Sequence, residues 1–214
     1  MSADRAFPRN MTQMTSLHEI RLAHVFTQLK ASGARRVLDL GCGSGSLLYR
    51  LADDPQFDEI VGLEASGLSL RQAREVLASW LNEKTQRIRL MQGSYAEAQP
   101  ALAGYDAAAL VETIEHVNPE ALSRVEISVF GQMRPSMVYV TTPNREYNPL
   151  FDLEPGEFRE PDHKFEWDRM KFQRWARGVA GRNGYEVTFG GIGENDPEFG
   201  QPTQTARFCR GPVT

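Results

Sequence analysis

Apolar residues along the chain switch between two spacings, and the switches lay out its elements. Leu22, Val25, Phe26 and Leu29 recur at helical intervals and Gly33 follows them, which predicts a first helix ended by that glycine. Arg36–Leu40 (RVLDL) is a short apolar run leading straight into a glycine turn, a buried strand by this pattern. Leu47, Leu48 and Leu51 begin the next helix. Ile60–Leu63 predicts a second strand, and Leu70, Ala73, Leu77 and Leu81 mark one face of a helix. Ile88 and Leu90 alternate with charged residues, which predicts a strand near 87–92. Tyr105–Val111 and Met137–Val140 read as the fourth and fifth strands. Phe172, Trp175, Ala176, Val179 and Ala180 predict a further helix, and Tyr185–Phe189 and Thr205–Phe208 the last two strands. The first 16 residues lack such a pattern and read as a loose arm, leaving 17–214 as one domain. Segment 142–167 has no clear period. A loop of that length inside a compact domain is usually functional or disordered. Strands alternating with helices predict an α/β fold, with a mostly parallel twisted sheet covered by helices on both faces. Ligands of such folds bind beyond the carboxyl ends of the strands, so the residues that follow each strand carry the functional reading.

Composition narrows the class. With 41% hydrophobic and 24% charged residues, the chain is neither disordered nor fibrous, and 214 residues suit one large domain. A net charge of −4 gives no global sign of a nucleic-acid binder, so any polyanion site is local. One local candidate is 164–182, which sets Lys164, Arg169, Lys171, Arg174, Arg177 and Arg182 against Glu166 and Asp168. Phe165, Trp167, Phe172 and Trp175 lie among them, residue types that stack on bases, although Phe172 and Trp175 equally fit the core face of a helix. Cys42 and Cys209 alone cannot build a disulfide framework or a four-cysteine zinc site, and a reduced, cytoplasmic, monomeric chain is the expectation. No apolar run reaches the roughly 18 residues of a membrane span, and MSADRAFPRN is not a secretory signal.

The first strand ends in Asp39-Leu40-Gly41-Cys42-Gly43-Ser44-Gly45. Glycines here let a backbone approach a ligand closely. The dinucleotide fingerprint is incomplete, because Ser46 takes its last glycine position, and no Gly-Lys-Ser/Thr follows to bind a triphosphate. Asp39, just before the turn, can meet an ammonium group. Glu64, closing the second strand, can accept both hydroxyls of a ribose. Together these resemble the class I S-adenosylmethionine-dependent methyltransferases, in which the position of Gln92-Gly93-Ser94-Tyr95 holds the adenine ring. The resemblance implies S-adenosylmethionine as cofactor, with Asp39, Gly41, Cys42, Gly43, Gly45, Glu64, Ser94, Tyr95 and Val111 around it. The plainer alternative is a packing turn and a solvated glutamate.

Val111-Glu112-Thr113-Ile114-Glu115-His116 leaves the fourth strand. If a helix starts here, Glu112, Glu115 and His116 share one face. Two carboxylates and an imidazole at one point repel unless a cation lies between them. That donor set suits a hard or borderline ion such as Mn²⁺ or Mg²⁺. His163, in Pro161-Asp162-His163-Lys164-Phe165-Glu166-Trp167, is a candidate fourth ligand. The plain alternatives are a charged first helical turn, favoured by the helix dipole, and a surface histidine.

The strings VLDLGCGSG, LVETIEHV, VFGQMRPSMVYVTTPNREYN, DHKFEWDRMKFQRWA and GQPTQTARF carry a closer likeness, covering roughly residues 17–208. The chain resembles the bacterial Hen-type RNA methyltransferases, which methylate the ribose 2′-hydroxyl at an RNA 3′ end. The resemblance implies a Rossmann-like fold with an antiparallel last strand. It implies one Mn²⁺ held by Glu112, Glu115, His116 and His163, the residues expected to carry catalysis. Arg134, Asn144, Arg145, Tyr147 and Asn148, assigned to the region after the fifth strand beside the presumed metal, are the candidates for holding the terminal nucleotide. Ser44 stands where the family often has an acid, and Glu64 where it has Asp. The family's additional N-terminal domain, tied to RNA repair, is not in this sequence, so the chain reads as a stand-alone version or an isolated catalytic domain. A repair or ligase-like partner remains an expectation of the resemblance. The metal would activate a 2′-hydroxyl as a Lewis acid, and binding of the vicinal 3′-hydroxyl would select RNA with a free 3′ end. Two alternatives stand beside this: a methyltransferase of the same fold acting on a small molecule, and a non-catalytic protein that binds the donor or RNA.

Overall fold

The short apolar runs expected as strands become two layers of core in the computed structural model, which describes residues 9–83, 86–151, 153–154 and 156–211. Strands β1 (Arg36–Leu40), β2 (Glu59–Glu64), β3 (Ile88–Gln92), β4 (Ala107–Val111), β5 (Met137–Pro143), β6 (Tyr185–Ile192) and β7 (Thr203–Arg210) form one sheet in the order β3-β2-β1-β4-β5-β7-β6. β1 to β5 run parallel, and β7 is antiparallel to both neighbours, as the resemblance implied. Register turns alternation into rows across the sheet. Ile88, Ile60, Val37, Ala107 and Met137 are aligned neighbours and share one core cluster. Leu38, Val61, Ala108, Val138 and Phe208, one residue on, share the cluster of the opposite face.

The first face is covered by α1 (Arg9–Ala31) and α2 (Ser46–Ala52), through Leu22, Val25 and Leu29 and through Leu48 and Leu51. Burying each such leucine contributes about 2 kcal/mol. α3 (Gly67–Val76) and α4 (Ala78–Leu81) connect β2 to β3, and the Ser66 hydroxyl caps α3 by accepting from the Ser69 amide. The second face carries α5 (Leu122–Val125), a π-helical continuation at Glu126–Met133, and α6 (Arg169–Asn183). Asp168 caps the start of α6, and Gly184, at φ +73°, ends it.

Two expectations change here. Of the arm expected over 1–16, residues 1–8 lie outside the described residues, while 9–16 already form the first turns of α1. The aromatics of 164–182 are core rather than a base-stacking surface. Phe165, Trp167 and Phe172 are buried and Trp175 packs against them: Phe172 and Trp175 lie on the apolar stripe that α6 lays on the sheet, and Phe165 and Trp167, just before α6, stack on each other in the same cluster. Two of the basic residues are also taken, since Arg169 pairs with Glu146 and Arg182 with Glu126. No helix among the described residues is long and apolar enough to cross a membrane.

Candidate active site

The carboxyl ends of β1, β2 and β4 open into two adjoining clefts. The turn after β1 needs glycine where it bends: Gly41 lies at φ +79°, and a Cβ there would stand 2.7 Å from Thr113 Cγ2. Gly41→Ala is therefore expected to lower stability by about 1–3 kcal/mol through strain and overpacking, read as a lower Tm. Gly43 has nothing within 4 Å of such a Cβ, so it faces open space, and its amide donates to Glu64 Oε2 at 2.9 Å. The Ser66 amide donates to Glu64 Oε1 at 2.7 Å, which fixes the carboxylate at the mouth of a cleft of about 560 Å³. Gly41, Ser94 and Tyr95 also line it, and the Tyr95 hydroxyl donates to the Thr113 carbonyl.

Asp39, Cys42 and Val111 line the neighbouring cleft of about 240 Å³. Asp39 is only 3% exposed. Burial, and then the charge of Glu64, push its carboxyl up to about 7, and no described residue supplies it a counter-ion. Such a group is suited to a cationic ligand. Burial pushes the Cys42 thiol up as well, and its sulfur fills the space beside Gly62, so its side chain serves packing. Gly45 sits against Ala73 and lets α2 approach α3.

The Glu-Thr-Ile-Glu-His string does not begin an α-helix. Glu112 turns out of β4 at φ +50°, and Ile114–His116 form a single 3₁₀ turn. The consequence is a split of the expected set. Ligand atoms of Glu115, His116 and His163 lie within 4.8 Å of one another, whereas Glu112 is not part of that group. Its carboxylate is held by Arg21 of α1 at 3.0 Å and by the Thr141 hydroxyl at 2.8 Å. Thr142, the next residue of β5, donates to Glu115 Oε2 at 2.9 Å. Glu115 is fully buried, and its Oε1 has no hydrogen-bond partner among the described residues. Burial and the nearby Glu112 hold its carboxyl well above its ordinary value. An orphaned buried oxygen facing two imidazoles is a donor set that fits a divalent cation. His116 is exposed and meets Asp162 Oδ2 at 3.0 Å, while His163 is buried and meets Glu166 Oε1 at 2.6 Å.

The candidate nucleotide residues separate. Arg134 precedes β5 and ends the π-helical stretch at φ +47°, at the amino end of the strands and opposite the end that bears the cluster, so it cannot reach it. Asn144 is buried and donates to the carbonyls of Phe199 and Gln201, and Asn148 is buried between Glu166 and Arg159. Both hold the loop rather than face a ligand. Tyr147 packs with Leu17 and Phe151. Arg145 is exposed. The sequence reading missed Arg21, Thr141, Thr142, Arg159 and Glu166. The last four stand within or beside strings already singled out, but only the fold reveals their partners.

A mostly parallel sheet with one reversed strand, an acid before a glycine turn after β1 and an acid closing β2 define a class I methyltransferase fold. Residues 37–135 match the family described as "Methyltransferase domain". The methyltransferase domain of bacterial CtHen1 superimposes with a TM-score of 0.82 at 42% identity, over 91% of this chain and 99% of that one. The small RNA methyltransferase HEN1 does so at 0.86 and 31% identity, over all of this chain and 27% of that one. The mouse protein named "Small RNA 2′-O-methyltransferase" is 38% identical over 165 residues, 74% of this chain. This chain belongs to the Hen1 methyltransferase family. It spans 41% of the mouse relative's length.

Proposed function

We propose that the chain transfers a methyl group from S-adenosylmethionine to the 2′-hydroxyl of the 3′-terminal ribose of RNA. The observation that carries this reading is a shared wall. The 560 Å³ cleft and a chamber of about 380 Å³ meet at Glu112 and His116, and the chamber is also lined by His163, Arg21, Arg159 and Phe151. A donor in the first and an acceptor in the second would face each other across the Glu115–His116–His163 cluster, which is the proximity a transfer needs. The relatives named for small RNA 2′-O-methylation support RNA as the acceptor.

In this reading Asp39 takes the ammonium of the donor's amino-acid end and Glu64 its ribose hydroxyls. Gly41 and Gly43 let the donor lie against the backbone, and Ser94 and Tyr95 border its adenine. Leu17 and Phe151 give the chamber apolar walls for the terminal base, and the exposed Arg145 is free to meet a phosphate. Glu115, His116 and His163, with Glu112 beside them, would hold Mn²⁺ or Mg²⁺, whose Lewis acidity lowers the pKa of a hydroxyl brought to it. The reading confines the reaction to one domain over 17–214 in the cytoplasm and, from the resemblance, sets it beside an RNA-repair or ligase-like partner.

The test is methyl transfer to RNA ending in a free 2′,3′-diol or in a 3′-phosphate, with and without chelation. Turnover is expected only with the free end, and about 100-fold or more of it is expected to vanish on metal removal and to return with Mn²⁺. Turnover indifferent to both would favour a small-molecule acceptor. Tight donor binding without turnover would favour a binding protein.

A further inference from the structure

His163 is held by a chain of hydrogen bonds whose direction can be read from end to end. It starts at two backbone carbonyls. Arg159 donates through its guanidinium to the Pro202 carbonyl at 2.7 Å and the Asn144 carbonyl at 2.5 Å. Its third nitrogen, Nε, donates to an Asn148 side-chain atom at 2.8 Å. A guanidinium only donates, so that atom must be Oδ1, and the Asn148 amide orientation follows from this. Asn148 Nδ2 then points at Glu166 Oε2, 2.6 Å away. Glu166 Oε1 accepts the Arg159 backbone amide at 2.7 Å and lies 2.6 Å from His163 Nδ1.

We infer that Glu166 is a positioning residue that fixes His163 in its Nδ1–H form, with Nε2 left as the lone-pair nitrogen toward Glu115 and His116. An ionised carboxylate offers no proton, so a neutral His163 ring must place its own proton on Nδ1. The side chains of His163 and Glu166 are 4% and 0% exposed, so water does not compete for the bond. The rings of His116 and His163 stand edge to face, with centroids 4.9 Å apart. A rotated or wrongly protonated His163 would present N–H, not a lone pair, to its neighbours. Metal-binding imidazoles commonly carry such a carboxylate on the other nitrogen, and its loss typically weakens metal affinity 10- to 100-fold. The relay also ties the cluster to the loop bearing Asn144 and Asn148, so a disturbance there reaches His163.

The inference rests on the cation reading of the cluster only in its last step, and the experiment separates the two. Nitrogen-15 NMR of the metal-free wild-type protein reads the tautomer directly. Mn²⁺ affinity by electron paramagnetic resonance reads the consequence, and S-adenosylhomocysteine affinity serves as control. Nδ1–H is expected in the wild type. Glu166→Gln is expected to mix the tautomers and weaken Mn²⁺ binding 10- to 100-fold, with S-adenosylhomocysteine binding within twofold of wild type. Should that variant not fold, Asn148→Ser, which removes the bond to Glu166 Oε2 and the one from Arg159 Nε but leaves Glu166 Oε1 on His163, is expected to give a smaller loss in the same direction. An Nε2–H ring in the wild type, or Mn²⁺ affinity unchanged in a folded Glu166→Gln, overturns the inference. Nδ1–H in a wild type that binds no Mn²⁺ overturns the cation reading and keeps the tautomer assignment.

Discussion

Glu115→Gln is expected to reduce methyl transfer about 1,000-fold while leaving donor binding and folding intact. The substitution keeps size and shape, and the glutamine carbonyl can still accept from Thr142, the bond now made at 2.9 Å. It removes the charge of a fully buried carboxylate whose other oxygen has no partner among the described residues. If that oxygen is there for a cation, the loss is several kcal/mol of charge stabilisation in the transition state, which corresponds to roughly three orders of magnitude. Folding moves the other way, because a buried ionisable group raised above its ordinary value strains the protein at neutral pH. The melting temperature should therefore stay level or rise, and single-turnover transfer should fall and recover in part at high Mn²⁺. A loss of activity accompanied by a lower melting temperature would instead make Glu115 a structural residue. The same substitution at Glu112 is expected to have a different signature. That carboxylate is bound by Arg21 and Thr141, so its removal frees the Arg21 contact between α1 and the β4 exit as well.

The layered sheet was legible because strand burial is a local pattern: the inner strands β1, β4 and β5 are buried almost throughout and read as short unbroken apolar runs, the mark of a parallel sheet covered on both faces. The glycine turn was legible for a similar reason, since Gly41 answers a steric demand of its own backbone. The split of Glu112 from Glu115 was not. It depends on a non-glycine residue at φ +50°, a conformation that spacing rules do not anticipate. The role of Asn148 was misread for another reason. Its partners, Glu166 and Arg159, are 18 and 11 residues away, and they turn an apparent ligand-facing amide into an internal strut. The aromatics between Phe165 and Trp175 illustrate the converse. Helical spacing already offered Phe172 and Trp175 to the core, whereas Phe165 and Trp167, which precede α6, joined it without a periodic signal. Arg134 failed on topology alone, because the residues just before a strand and just after it lie at opposite ends of the sheet.

Asp39→Asn is expected to weaken binding of S-adenosylhomocysteine, which keeps the donor's ammonium group, by about 100-fold or more, while stabilising the ligand-free protein. Both effects follow from one buried carboxyl raised from an ordinary 3.8 to about 7, first by burial and then by Glu64. A raised acid holds its proton more tightly in the folded chain than in the unfolded one. The contribution of Asp39 to stability is thus most favourable at low pH, falls as pH rises between these values, and levels off above about 7. The cost at pH 8 is about 4 kcal/mol at this order of magnitude. Asparagine removes that cost, so the variant should melt higher at pH 8 and lose the advantage near pH 4. Ligand affinity carries the opposite slope. An ammonium pairs with the ionised form, so wild-type affinity should rise about fivefold from pH 6 to 7, about twofold more to pH 8 and then flatten, and in Asp39→Asn it should be weak at every pH. Calorimetric titration at pH 6, 7 and 8 reads both limbs. A wild-type affinity that does not change across this range would remove Asp39 from the ammonium and leave its burial without a ligand to explain it.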